Sequence, residues 1–225
     1  TDVVFVDPLA ITTPGSTLTV QAGRSVLVQN AVSTNNAAIS ITANDSTSTS
    51  SDRLTNSASN PAGDTETVNG NIVMSGLGSI SAGTSTLSMA IDNTNSAPFT
   101  PGSITLLSTT SGGLTLSSQS AGVVLKNITL NGSGSLSVTA GGAITQSGAL
   151  TVPGTSSFSA GANPITLNNI SNSMIGAITL SNSGSNTANI RVNSSGIIIA
   201  TSNVGNLVLL AQSGGISQTG PLTVS

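Results

Sequence analysis

Ile144-Thr145-Gln146-Ser147-Gly148-Ala149-Leu150-Thr151-Val152 returns as Ile216-Ser217-Gln218-Thr219-Gly220-Pro221-Leu222-Thr223-Val224. The offset, from 144 to 216, is 72 residues, and a fixed period decides an architecture before local propensity does. At the same offset Leu136 and Val138 fall on Val208 and Leu210, and Gly142 on Gly214. An earlier stretch recurs at an offset of 74: Ile104-Thr105-Leu106 as Ile178-Thr179-Leu180, and Gly122-Val123-Val124-Leu125 as Gly196-Ile197-Ile198-Ile199. A looser copy, Leu18-Thr19-Val20-Gln21-Ala22-Gly23, echoes Leu136 to Gly141.

One period is expected to hold about nine short strands, centred near residues 137, 144, 151, 158, 166, 179, 191, 198 and 209. That spacing is too short for strand plus helix and suits a coil of about three strands joined by tight turns. Each strand reads apolar, polar, apolar, as in Ile-Thr-Leu at 104–106, 165–167 and 178–180, which turns two aliphatics inward and one Thr outward. No sustained helical period occurs, and β-branched residues fill the strand centres, so the fold expected is all-β with almost no helix: a parallel β-solenoid. The inward ladder should include Ile104, Leu106, Val123, Leu125, Leu136, Val138, Ile144, Ile165, Leu167, Ile178, Leu180, Ile197, Ile199, Leu207 and Leu209. Within the unbroken apolar run at 207–210 the face is ambiguous. Corners are expected at Asn131-Gly132, Gly141-Gly142, Gly112-Gly113, Gly214-Gly215 and Ser195-Gly196, in turns of positive φ that Gly adopts freely.

Composition narrows the function classes. The 225 residues are 36% hydrophobic, 5% charged and 1% aromatic, with 25 Gly and no Cys, His, Trp or Tyr, where an ordinary domain is about 25% charged. Disorder requires low hydrophobicity and high net charge, whereas the mean hydropathy is +0.28 and the net charge −3. No linker divides the chain, so 1–225 reads as a single elongated solenoid segment. Its four cations, Arg24, Arg53, Lys126 and Arg191, are scattered and form no patch able to hold a phosphate backbone, which argues against nucleic acid. Apolar runs such as Val3 to Val6 fall far short of the roughly 18 residues of a membrane helix, so no membrane span is expected. The absence of cysteine removes disulfides and thiolate metal sites and fits bacterial export. The chain begins at Thr1 without an initiator Met or signal pattern, and reads as a processed or excised segment.

Residues 43–69 break the pattern. They run through Ala43-Asn44-Asp45 and Asp52 to Asp64-Thr65-Glu66, hold four of the seven acids, and read as a polar loop excursion from the solenoid, more naturally solvated than binding.

The segment 136–170, LSVTAGGAITQSGALTVPGTSSFSAGANPITLNNI, resembles the β-strand repeats of very large bacterial exoproteins of the filamentous haemagglutinin type, and 176–224 does so too. The C-terminal half carries the resemblance; the first 100 residues share only its general style. The resemblance implies a right-handed parallel β-helix, export through an outer-membrane transporter serving the parent protein, an extracellular location on the bacterial surface, and a role in adhesion, aggregation or biofilm. The partner would be a host or neighbouring cell. No secretion domain or Asn-Pro-Asn-Gly-type motif stands near Thr1. The family has no catalytic residues to transfer.

Chemistry is scarce. Parallel β-helices that cleave polysaccharides need clustered carboxylates beside Arg or Lys. Here the closest acids are Asp64 and Glu66, with Asp45 and Asp52 seven apart, and solvated charge is the better reading of both. Calcium-binding solenoids need repeated Gly-Gly-x-Gly-x-Asp turns; none occurs, and Asp92 stands by itself. No Ser has an activating base nearby. No catalytic, cofactor or metal site is assigned, and an enzyme is not expected. Ice binding would need Thr repeated on one face, yet Thr17-Leu18-Thr19 and Thr65-Glu66-Thr67 are isolated and most strands offer one outward Thr or Ser.

A solenoid end normally carries a polar cap, and neither end shows one. The candidate contact residues are therefore Val3, Val4, Phe5 and Val6 at one end and Leu222 and Val224 at the other. They would meet either further coils of a long chain or the next copy in a filament assembled end to end by strand addition. Simple first-core-strand packing also explains Val3 to Val6.

Overall fold

The computed structural model describes residues 2–45, 70–92, 104–105, 109–118, 121–193 and 196–225. Among them there is no helix. The chain winds through short strands in coils. The first three coils are β1 (Val3–Phe5), β2 (Leu9–Ile11), β3 (Leu18–Gln21); β4 (Val26–Val28), β5 (Ala31–Thr34), β6 (Ile39–Ala43); and β7 (Ile72–Met74), β8 (Ser79–Ser81), β9 (Thr86–Ile91). The next three are β10 (Ile104–Thr105), β11 (Thr109–Ser111), β12 (Gly113–Ser118); β13 (Val123–Leu125), β14 (Ile128–Leu130), β15 (Leu136–Ala140); and β16 (Ile144–Gln146), β17 (Leu150–Val152), β18 (Ser156–Ser159). The last three are β19 (Ile165–Leu167), β20 (Ser173–Met174), β21 (Ile178–Ser181); β22 (Thr187–Val192), β23 (Ile197–Ile199), β24 (Ser202–Val204); and β25 (Asn206–Ala211), β26 (Ile216–Gln218), β27 (Leu222–Val224).

Stacking gathers these into three parallel sheets. The first runs β1-β4-β7-β10-β13-β16-β19-β22-β25, and the second β2-β5-β8-β11-β14-β17-β20. The third runs from β3 through β21 to β23 and β26, with β24 pairing both β21 and β27. The result is a β-solenoid of about eight turns. With stacked strands about 4.8 Å apart, eight turns span about 40 Å. The connections 46–69 and 93–103 and the residues 106–108, 119–120 and 194–195 lie outside the described residues. No helix in the described chain is long and apolar enough to cross a membrane.

The core is a continuous aliphatic ladder. Val123, Leu125, Ile144, Ile165, Leu167, Ile178 and Leu180 are fully buried, and Leu136, Val138, Ile197 and Ile199 are 1% exposed. Leu207 and Leu209 pack against the same core. All of these face inward as expected; Leu106 and the side chain of Ile104 fall outside the described residues. Each such burial contributes about 1.5–3 kcal/mol relative to exposure. Across the strand run at 207–210 the alternation settles the ambiguity, with Val208 and Leu210 turned outward at 49% and 48% exposure.

Three expectations need correction. First, from β15 to β25 the 72-residue offset covers ten strand steps rather than eight intervals, because β20 and β24 are strands that the apolar-polar-apolar pattern missed. Ten steps are no whole number of three-sided coils, so each copy falls on a different side from its original. Accordingly β15, β16 and β17 lie in the third, first and second sheets, while β25 lies in the first and β26 and β27 in the third. Second, the match of Leu136 and Val138 to Val208 and Leu210 sets inward residues against outward ones, so the copies slip by one position at that strand.

Third, the corner glycines serve two purposes. Positive φ is the reason at Gly132 (61°), Gly196 (80°) and Gly214 (74°). At Gly112 the reason is space, since a Cβ there would lie 1.9 Å from the Thr84 carbonyl oxygen. The same corner in the next coils repeats the crowding: a Cβ on Gly134 would meet Gly112 O at 2.5 Å, one on Gly154 would meet Gly134 O at 2.7 Å, and one on Gly176 would meet Gly154 O at 2.2 Å. A column of four glycines lets the backbone at this corner close up from coil to coil.

Candidate functional site

The six candidate contact residues sit where the sequence placed them, at opposite ends of the stack. Among the described strands β1 pairs with β4 alone, with Val3 against Val26, Val4 against Leu27 and Phe5 against Val28, and its other edge has no partner there. Val3 and Phe5 pack on the core while Val6, just beyond the strand, is 58% exposed. At the far end Leu222 lies against Ser202 and Val224 against Val204, in a strand that among the described residues pairs with β24 alone. Leu222 packs partly on the core and Val224 is 53% exposed.

The first end holds a charged pair that the sequence reading missed. Arg24 Nε donates to Asp2 Oδ1 at 2.8 Å, its Nη2 donates to Asp2 Oδ2, and the Ser25 amide donates to Asp2 Oδ1 at 3.0 Å. The two side chains are only 8% and 4% exposed. Bidentate Arg–carboxylate pairs fix orientation as well as charge. This one ties the start of the first coil to the second. The signal was the 22-residue separation, one coil's length.

Beside it the root of the polar excursion is buried rather than solvated. Ala43 ends β6, and Asn44, Asp45 and Asn71 are each 5% exposed. The Asn44 amide donates to Arg24 O at 2.8 Å, the Asp45 amide to Ala22 O at 3.0 Å, and the Asn71 amide to Ser25 Oγ at 3.1 Å. Asn44 Nδ2 reaches Asp92 O at 2.7 Å. The expectation of a solvated Asp45 is thereby corrected: backbone bonds draw this corner into the stack. Asp52, Asp64 and Glu66 lie outside the described residues. Among the described residues no group of three or more His, Cys, Asp or Glu side chains comes together.

Inside the middle coils buried Thr109, Ser111 and Ser156 take inward places in the aliphatic ladder, and a hydrogen-bonded amide pair interrupts it further. Asn172 is fully buried, and its Nδ2 donates to Gln146 Oε1 at 3.0 Å and Arg191 O at 3.1 Å while its Oδ1 accepts the Leu150 amide at 3.1 Å. Gln146 Nε2 also donates to Gly148 O at 2.6 Å. In the last described coil Gln218 makes the same bond to Gly220 O at 2.6 Å, and among the described residues no side chain from a further coil meets it. Around it Ile216 is 53% exposed.

The outer faces differ from sheet to sheet. On the third sheet one file of outward residues runs Thr19, Ser40, Ser88, Thr115, Ser137, Ser157 and Thr179, each in register with the next. A second file two residues along runs from Gln21 through Thr42, Ala90, Ser117, Thr139 and Ser159 to Ser181. Twelve of these fourteen positions are hydroxyls, and none is charged. The reading of one outward Thr or Ser per strand therefore fails on this sheet, whose strands are long enough to present two. The second sheet carries a single file from Ser33 to Ser173. On the first the outward register holds Val4, the buried Leu27 and Val73 early, then Thr145, Thr166 and Asn189.

A family model described as "Repeats of unknown function (DUF5649)" matches residues 111–181. The matched stretch contains the whole glycine column, from Gly112 to Gly176. No curated protein and no solved structure matches the chain.

Proposed function

We propose that this chain is a structural and adhesive segment of a secreted bacterial surface fibre, acting in cell adhesion, aggregation or biofilm and performing no catalysis. The observation that carries the reading is the uninterrupted stack. Coil after coil of the described chain repeats a largely aliphatic interior, the strands between the end coils are paired above and below, and the outer face of the third sheet is uncharged and mostly Ser and Thr. Such a body supplies reach and a uniform surface, and its catalytic groups are few: one Lys and no His in the whole sequence. The resemblance of 136–170 and 176–224 to filamentous haemagglutinin-type repeats points the same way. It also brings in the outer-membrane transporter of the parent protein and an extracellular location. Displaying the chain on a bacterium that neither clumps nor adheres tests the reading. Aggregation or attachment above a charge-matched control is expected; unchanged behaviour with the chain verified on the surface would overturn it.

A second reading has its own observation. The last coil leaves Ile216 and Val224 about half exposed, and β1 has one open edge. Open edges invite strand addition, which supports a subunit that joins end to end into a filament. Intact mass of the native material with negative-stain imaging separates the readings, since one long chain and a polymer of short chains differ in covalent mass.

A further inference from the structure

We propose that the outer face of the third sheet is an ice-binding surface. Its two files of outward residues form a two-dimensional lattice, with strands about 4.8 Å apart in one direction and neighbours on one strand about 6.6 Å apart in the other. Seven coils carry the first file without a break, from Thr19 to Thr179, a span of about 29 Å. The lattice is stiff, because the residues between the files, such as Leu116, Val138, Phe158 and Leu180, are buried at 1% exposure or less. None of the fourteen outward side chains is buried.

The chemistry of the face selects the partner. A hydroxyl offers one donor and two acceptor positions, and binding a solute through it exchanges one hydrogen bond with water for another, with little net gain. A sugar or peptide would need stacking rings or charges as well, and the face has neither. Crystalline water is the one partner for which that exchange is unnecessary: waters held by the hydroxyls remain bonded to the protein while joining the lattice. Ordered waters bridging polar groups are nearly as good as direct bonds, and a two-dimensional array of them is what the plane of a crystal can join, whereas a polymer chain would need only one file. Neutrality also fits, since bound counterions would disturb an ordered water layer. This inference stands whether the chain belongs to a long adhesin or to a filament.

The test is partition of the fluorescently labelled 225-residue chain between a slowly grown ice hemisphere and the residual liquid. The unmodified chain is expected to enrich in the ice. Thr115→Tyr combined with Ser157→Tyr, which puts bulk in the middle of the first file, should be excluded, while Thr129→Tyr on the second sheet should stay enriched. Circular dichroism establishes that each variant is folded. Exclusion of the unmodified chain overturns the proposal whatever the variants do. So does equal loss in Thr129→Tyr, or retention on insoluble cellulose without enrichment in ice, which would make the face a carbohydrate platform.

Discussion

Residues 144–152 and 216–224 carry nearly one sequence, and they differ in what lies above them. In the middle of the stack Ile144, Leu150 and Val152 are fully buried; in the last coil Ile216 and Val224 are each 53% exposed. The same Gln-to-Gly bond closes both corners, yet only Gln146 meets a side chain from the next coil, Asn172. Strand sequence sets which side of the wall a residue takes, and the neighbouring coil sets how much that choice contributes. Stability in such a stack is therefore a sum of coil-to-coil contacts, and an end coil has half of them.

Four tests, from the largest expected effect to the smallest, probe that difference. Ile178→Asp sets a carboxylate in the fully buried ladder and should cost about 4 kcal/mol or more in denaturant unfolding. A variant that unfolds like the parent would mean that the inward face is misassigned. Arg24→Met leaves Asp2 buried without its partner, with an expected loss of about 3–5 kcal/mol, against about 0.5 kcal/mol for Arg191→Met on the outer face. Equal losses would remove the special role of the first end.

The duplicated peptide gives the sharpest pair. Ile144→Ala should lose about 2–5 kcal/mol by opening a cavity, while Ile216→Ala, already half exposed, should lose about 0.5 kcal/mol or less. Similar losses would show that the last coil is covered in solution. Gln146→Leu removes one of the partners of buried Asn172 and should cost about 1 kcal/mol. Gln218→Leu, which abandons no buried group, should leave the unfolding midpoint in place.

The ladder and the two open ends were legible because they rest on alternation and repetition, both of which a sequence displays. Ile165 to Leu167 and Ile178 to Leu180 announce their inward faces by pattern alone. What stayed hidden depends on which coil lies over which. Ser173-Met174 and Ser202-Asn203-Val204 form strands although Ser173 points outward and Ser202, which points inward, is polar; only stacking on Thr151 and Leu222 marks them. Asp2 and Arg24 are neighbours only once the first coil has closed. The two hydroxyl files were present as Ser137 and Thr139, but their alignment with Ser157, Ser159, Thr115 and Ser117 follows from register, which the 72-residue offset misstates because it advances each copy to a different side.

The end faces remain the most direct place to test the whole. Purified 225-residue chain can be imaged by negative-stain electron microscopy and the particle lengths measured, with Val4→Pro and Val224→Lys introduced together to block both edges. Pro removes a donor from β1 and Lys resists burial against a neighbour. The unmodified chain should form rods in multiples of about 40 Å, and the blocked variant should give single units. Lengths unaltered by the end substitutions but shortened by Thr129→Lys on the flank would contradict association through the terminal coils.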